Sequence, residues 1–350
     1  FEANSQLTSI GDNAFNGASA LTSITIPDGV TTIGSNAFYG ATNLVSINLP
    51  GSLTSIGEGA FNGTSITNVL YQYTSTDEKI LIYYPPNIED ISFVIESDVT
   101  SIGDGVFNGA TALVSVTFGA DSQLTDIGDS VFNGATSLTS ITIPSGVTSI
   151  GSNVFNGATA LVSVTFETDS QLTDIGDSVF NGATSLTSIT IPLGVTSIGS
   201  NVFNGATALV SVTFEADSQL TDIGGSVFNG ATSLTSITIP LGVTSIGSNV
   251  FNGATALVSV TFEADSQLTD IGGSVFNGAT SLTSITIPFG VTSIGSSAFN
   301  GITSLVSVTF ETDSQLTDIG DSVFYGMTGL TSITIPSGVT SIGSNVFNGA

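Results

Sequence analysis

The chain has 350 residues, of which 28 are acidic and one is basic, so its formal net charge at pH 7 is −27. Nucleic acids and anionic membrane surfaces are bound chiefly through Lys and Arg, so this charge balance argues against both as partners. The absence of cysteine excludes disulfide bonds and thiolate metal sites.

The sequence is internally repetitive. A 23-residue unit that begins at Leu138 is followed by a related 25-residue unit that begins at Leu161, and the pair recurs from Leu186 and from Leu234. A period of this size is typical of a solenoid or a propeller. Because a solenoid grows by stacking units, we predict one continuous array over residues 1–350.

In chain order, residues 1–20 are the second half of a 25-residue unit, and complete units begin at Leu21 and Leu44. The pattern then loosens over residues 66–98, which we interpret as one atypical unit. Aligning Ile102 with Ile150 places Phe93, Ile95 and Val99 at core positions of that unit. Later units of strictly alternating length begin at Leu113, Leu138, Leu161, Leu186, Leu209, Leu234, Leu257, Leu282, Leu305 and Leu330.

Both ends of the sequence fall inside a unit. We therefore expect a segment of a longer array, with capping units and any signal or anchor outside it. The sequence shows no signal-peptide pattern and no apolar run of about 18 residues, and so predicts no direct membrane insertion.

Each unit begins with a strand signal. In the unit from Leu138, Ile141 and Ile143 alternate with Ser140 and Thr142, which predicts a strand with its hydroxyl side chains outward. Pro144 removes a donor and ends the strand.

The second half of the unit predicts a shorter extended segment and a turn. Val147 and Ile150 point inward from the extended segment. In the following residues, we expect a single helical or 3₁₀ turn that is capped by Ser152, buries Val154 and Phe155, and ends at Gly157 in a left-handed conformation. About six buried side chains per unit do not offset the entropy of ordering about 24 residues, so stacking is obligatory.

The unit LTSITIPSGVTSIGSNVFNGATA resembles the BspA-like leucine-rich repeat, through its IP, VTSIG and VF or AF positions, as at 37–38 and 60–61. Residues 69–71 and 81–85 resemble a variant of the same family. Ala158 and Ala183 stand where the family often has Cys.

The resemblance implies a β-dominated leucine-rich-repeat solenoid that is right-handed and curved. It would have a parallel β-sheet on one face, with short strands and 3₁₀ or helical turns on the other. Members are secreted or cell-surface proteins of bacteria and of some microbial eukaryotes, and they attach to host proteins or to other cells. The resemblance implies neither catalytic residues nor cofactors.

Stacking would turn each outward strand residue into a row, with neighbouring strands about 4.8 Å apart. We call these rows the Ser/Thr face and interpret them either as a recognition surface for protein or glycan or as ordinary polar strand residues. The residues are Ser140, Thr142, Ser163, Thr165, Ser188, Thr190, Ser211, Thr213, Ser236, Thr238, Ser259 and Thr261.

Acids recur in the longer unit, where Glu167, Asp169, Asp174 and Asp177 lie within 11 residues. Calcium prefers six to eight oxygen ligands, so these residues are candidates for a calcium site. The spacing is not that of an EF-hand, and diffuse cation binding is the alternative.

The familiar catalytic constellations lack members, because the chain has no His, Cys or Arg. Paired carboxylates can hydrolyse glycosides, but here they occur in repeated copies. One place that is not repeated contains Tyr71, Tyr73, Tyr83, Tyr84 and Lys79. We interpret it as a packed satellite core, with an anchor for a partner as the alternative.

The sequence therefore predicts a non-catalytic adhesion module at the cell surface or outside the cell. Its partner would be a protein or a glycan of a host or a neighbouring cell. The alternatives are a structural spacer or a filament of arrays stacked end to end, and ordered-water or ice binding by the threonine rows.

Overall fold

The computed structural model describes residues 1–2, 4–57, 59–73, 78–85 and 91–350. Within these residues the chain forms 28 short strands and neither an α-helix nor a 3₁₀-helix.

The first fourteen strands are β1 Ser9–Ile10, β2 Ser23–Thr25, β3 Thr32–Ile33, β4 Ser46–Asn48, β5 Ser55–Ile56, β6 Leu70–Tyr73, β7 Lys79–Tyr83, β8 Ser92–Ile95, β9 Val99–Ile102, β10 Ser115–Phe118, β11 Asp126–Ile127, β12 Ser140–Ile143, β13 Ser149–Ile150 and β14 Ser163–Phe166. The other fourteen are β15 Asp174–Ile175, β16 Ser188–Ile191, β17 Ser197–Ile198, β18 Ser211–Phe214, β19 Asp222–Ile223, β20 Ser236–Ile239, β21 Ser245–Ile246, β22 Ser259–Phe262, β23 Asp270–Ile271, β24 Ser284–Ile287, β25 Ser293–Ile294, β26 Ser307–Phe310, β27 Asp318–Ile319 and β28 Ser341–Ile342.

A regular coil contributes a long strand and a short strand, each paired in parallel with its equivalents in the neighbouring coils. The long strands β8 to β22 form an eight-stranded sheet, and β2 pairs with β4 as β24 does with β26. The short strands from β9 to β28 join β7 and β6 in a sheet of 13 strands, while β1, β3 and β5 form a sheet of three. The predicted β-dominated, parallel solenoid is thus confirmed, and its short strands also form sheets.

The core is a stack of identical layers. In the coil that begins at Leu138, the side chains of Ile141, Ile143, Val147 and Phe155 are all at most 3% exposed. The Phe155 ring lies parallel to the equivalent rings of the coils before and after it, with centroid distances of 5.3 and 5.4 Å. Each ring is therefore covered on both faces by neighbouring coils rather than by its own.

The prediction of a helical or 3₁₀ turn at residues 151–157 is wrong. Asn153 and Gly157 have φ values of 59° and 69°, in the left-handed region, which interrupts a right-handed helix. Alternate backbone donors bond to the next coil instead, since the Phe155 N–H donates to the Val179 carbonyl at 2.8 Å, while the Asn156 N–H donates within the turn to the Asn153 carbonyl at 3.1 Å. Ser152 therefore caps no helix, although Gly157 does supply the predicted left-handed residue.

Glycine is also required where successive coils approach most closely. A Cβ atom at Gly176 would lie 2.8 Å from the carbonyl carbon of Gly151 in the preceding coil. No side chain fits at that distance, so this corner of the coil is restricted to glycine.

The atypical unit is a seam between two buried clusters. Tyr83 belongs to the cluster formed by the N-terminal coils, and Tyr84 belongs to the larger cluster of the later coils. Here β6 and β7 pair antiparallel, whereas β7 pairs in parallel with β9. The predicted alignment of Phe93 and Ile95 is confirmed, because they pair with Val116 and Phe118.

The sequence predicts that the tyrosines and the lysine of this region form a packed satellite core. This is confirmed for Tyr83, Tyr84 and Lys79, which are 5%, 3% and 6% exposed. The Lys79 ammonium contacts the Glu96 carboxylate, lies 3.1 Å from Oδ1 of Asp98, and lies 4.5 Å from the centroid of the Tyr71 ring. Burial disfavours the ammonium, yet its hydrogen bonds to the two carboxylates hold the pKa of Lys79 above its usual value.

Replacing one ring in the aromatic stack should be costly. We expect Phe155→Ala to lower the free energy of unfolding by about 3–5 kcal/mol, because both neighbouring rings lose a contact that local relaxation does not restore. Urea denaturation measures the loss. Phe166→Ala is a control at a partly buried ring and should cost less. A loss below about 1 kcal/mol for Phe155→Ala would contradict this account of the core.

Because of the seam, the free energy of unfolding should depend on pH in the alkaline range. Burial, together with the negative charge of Glu96, raises the pKa of Tyr71 to about 12 from 10.0. Since the unfolded chain then ionises first, the contribution of Tyr71 is fully present below about pH 10 and is lost as the pH rises towards about 12.

Tyr71→Phe should reduce this part of the pH dependence in urea unfolding and remove one high-pH step from the phenolate absorbance titration. Tyr73→Phe is the control, because the Tyr73 side chain is 56% exposed. Identical pH profiles for Tyr71→Phe and the unsubstituted protein would refute the assignment.

Candidate binding faces

The Ser/Thr face is formed by the outward residues of the long strands. Ser140 lies opposite Ser163 and Ser163 lies opposite Ser188, and the same register continues to Ser259. The six predicted serines therefore lie in a single row. The side chains of Ser140 and Thr142 are exposed, as the strand pattern predicted.

The threonines of this face do not form a uniform row, which corrects the prediction. Thr142 and Thr165 share a hydrogen bond of 2.9 Å between their hydroxyl oxygens, and Thr190 and Thr213 do the same. Between these pairs the strands separate: β14 and β16 are in register only at Ser163 and Ser188. The threonine row is thus a series of hydrogen-bonded pairs.

The separation has a cause in the sequence. Across a 23-residue step, the Glu167 N–H donates to the Ile143 carbonyl at 3.0 Å and holds the ends of the strands together. Across the next step the corresponding residue is Pro192, which has no N–H to donate to Phe166. The segment that joins the long strand to the short strand is also two residues longer after Phe166 than after Ile143. This accounts for the difference between the 25- and 23-residue units.

The separated strand ends leave clefts. One cleft of about 460 Å³ lies between Phe166 and Thr190, with Glu215 at its rim. Equivalent clefts of about 230 and 460 Å³ lie beside Phe262 and Phe310. All three clefts therefore lie beside the long strands of 25-residue units, which recur every second coil.

Apolar side chains share this two-coil period. Where the 23-residue units have Thr139 and its equivalents, the 25-residue units have valines whose side chains are 46–53% exposed. These are Val162, Val210, Val258 and Val306. The sequence analysis missed them, although the second residue of successive units alternates between Thr and Val, which was a usable signal.

The short strands form a second polar face, which was also missed. The Thr148 hydroxyl donates to the Thr125 carbonyl of the preceding coil at 3.1 Å, and the Ser149 hydroxyl donates to Asp126 at 2.7 Å. We call this the Thr/Asp face. It consists of Thr125, Thr148, Thr173, Thr196, Thr221, Thr244, Thr269, Thr292 and Thr317 with Asp126, Asp174, Asp222, Asp270 and Asp318.

The structure gives the calcium candidates separate positions and separate partners. Glu167 accepts a hydrogen bond from the Ser145 N–H at 2.9 Å, and Asp177 accepts one from the Ser200 N–H at 2.6 Å. Asp174 accepts from the Ser197 hydroxyl at 3.1 Å.

Asp169 has a left-handed backbone with a φ of 59°. Within the described ranges, no three His, Cys, Asp or Glu side chains come together as metal ligands. The carboxylates of Glu167, Asp174 and Asp177 instead join one coil to the next.

We therefore expect a chelator to leave the melting temperature unchanged. Calcium should act only as a diffuse counterion, because the acids are distributed over many coils. Thermal unfolding with EDTA, with calcium and with sodium chloride at matched ionic strength measures this. A rise in melting temperature that calcium alone produces would contradict the expectation.

No helix long and apolar enough to cross a bilayer occurs in the part of the chain that the structure describes. In sequence, no curated protein matches the chain. The model of the BspA type leucine rich repeat region matches residues 1–83, 78–210, 164–278 and 255–350.

Solved structures with TM-scores above 0.5 share the fold. A leucine-rich repeat protein from Bacteroides ovatus is 25% identical with a TM-score of 0.60, over 98% of this chain and 80% of that chain. One from Eubacterium ventriosum is 24% identical with a TM-score of 0.52, over 94% of this chain and 82% of that chain. A leucine rich cell surface protein from Faecalibacterium prausnitzii is 28% identical with a TM-score of 0.44, over 93% and 82% of the two chains. Because the family model matches the chain from end to end, the protein belongs to the BspA-type leucine-rich-repeat family.

Proposed function

We propose that this protein is a non-catalytic binding module outside the cell or on its surface, and that it recognises a protein or a glycan through the Ser/Thr face. Members of leucine-rich repeat families are interaction or structural modules, which supports the proposal at the level of class. The observation that carries it is the array of clefts with hydroxyl rows between Phe166 and Thr334.

The chemistry of the face favours recognition of polar polymers. Each hydroxyl can donate and accept a hydrogen bond, and repeated copies engage a repeated ligand several times over. Repetition also argues against catalysis, since an active site is a single differentiated place. The face has no cation, because Lys79 is the one base in the sequence and is buried.

The other functions remain secondary proposals. A spacer role is supported by the long ladder of short strands, which needs no ligand. Ordered-water binding would require regularly spaced threonines, whereas those of the Ser/Thr face lie in pairs. Within the described residues, no specific contact favours association end to end or binding of calcium or another cofactor.

Lysine substitutions on the Ser/Thr face test the proposal. We expect Thr142→Lys, Thr190→Lys and Thr238→Lys together to weaken partner binding at least tenfold, or about 1.4 kcal/mol. Surface plasmon resonance against extracellular-matrix proteins and neutral glycans provides the measurement.

The matched control places Thr148→Lys, Thr196→Lys and Thr244→Lys on the Thr/Asp face, where the same charge is added to exposed threonines. We expect the control to bind normally. If both sets weaken binding equally, or if the panel yields no partner, the Ser/Thr face is not the recognition surface.

A further inference from the structure

We infer that the cleft array of the Ser/Thr face binds a basic, proline-rich segment in the polyproline II conformation, with one turn of the segment for every two coils. This rests on the proposed function and specifies its ligand. The segment would lie along the solenoid axis and cross the long strands.

The spacing of the clefts supports this ligand. Paired parallel strands lie about 4.8 Å apart and the strands separate at each cleft, so cleft positions that recur every second coil are at least about 9.6 Å apart. A polyproline II helix has 3 residues per turn and rises about 3.1 Å per residue, which is about 9.3 Å per turn. An extended peptide repeats its side-chain direction about every 6.6 Å and does not match.

The lining of the clefts matches the chemistry of such a segment. Phe166 lines the cleft with a partly buried aromatic ring, and Val162, which immediately precedes the same strand, has an exposed apolar side chain. Proline rings pack on surfaces of this kind, which is how aromatic-lined grooves recognise polyproline II ligands. The backbone carbonyls of a polyproline II segment make no internal hydrogen bonds, so the Ser188 and Thr190 hydroxyls at the cleft can donate to them.

The charge of the clefts favours a basic segment. Glu215 stands at the rim of one cleft and Glu311 at the rim of two others. Each uses Oε2 to accept a backbone N–H, from Leu193 and Phe289 respectively, which holds the carboxylate in place. With a net charge of −27, the chain attracts a cation at every third position of the segment.

Peptide binding tests the inference. The probe is a fluorescent peptide of about five Pro-Pro-Lys triplets, compared with a peptide of the same composition in an order that breaks the three-residue spacing. We expect anisotropy titrations to give at least tenfold tighter binding for the triplet peptide, weakened by salt. A Pro-Pro-Glu peptide should not bind.

Matched charge variants locate the site. Glu167→Gln, Glu215→Gln, Glu263→Gln and Glu311→Gln remove four charges from one row of equivalent glutamates, of which Glu215 and Glu311 line clefts, while each glutamine oxygen can still accept the backbone N–H. The control, Asp174→Asn, Asp222→Asn, Asp270→Asn and Asp318→Asn, removes four charges with the same period from the Thr/Asp face. We expect at least tenfold weaker binding for the first set and less than about threefold for the control.

Three outcomes would overturn the inference: no binding of the triplet peptide, equal binding of both peptides, or equal loss in both variant sets. Neutral β-linked oligosaccharides that bind where the peptide does not would instead identify a glycan ligand. In that case the lysine variants of the Ser/Thr face would still weaken binding. The ligand assignment would then fail while the proposed function stands.

Discussion

The structure depends on contact between successive coils. Phe155 is sandwiched between the rings of Phe132 and Phe180, and its backbone N–H bonds to the next coil rather than to its own turn. A single coil buries too little to offset its conformational entropy, so both core packing and backbone hydrogen bonding are supplied by neighbours. Side chains on the outside are thereby held in rows, because the coils stack in register and their geometry repeats every second coil.

The seam shows what happens where this repetition stops. The aromatic stack is parallel from Phe107 onward, but Tyr83 meets Phe61 edge to face at 77° and Tyr84 is tilted by 43° against Phe107. A buried lysine is stable there because two carboxylates and an aromatic ring surround it. The one base of the chain is thus used within the fold and leaves the outer faces acidic.

The two outer faces differ because of the small difference between the two kinds of unit. Pro192 and the longer segment after Phe166 separate the long strands at one end, while the short strands remain continuously paired through β15 and β17. One face consequently contains a series of clefts, whereas the short strands of the other form an unbroken ladder from β9 to β28. A ligand in the clefts would contact groups that repeat every second coil. Glutamates such as Glu215, which accepts a backbone N–H from the preceding coil, also give the clefts their negative charge.

The sequence by itself determined the repeating array, the unit boundaries and the buried positions, because the period and the alternation of Ile141 with Thr142 are local patterns. The parallel sheet was implied by the resemblance of the unit to a known repeat family. The sequence also determined the serine row, since identical units in register place identical residues side by side. Only the tertiary structure decided that residues 151–157 form a non-helical turn and that the threonines lie in pairs, because both depend on hydrogen bonds between coils. It likewise decided that the acids around Glu167 bond to neighbouring coils, since those donors are distant in sequence.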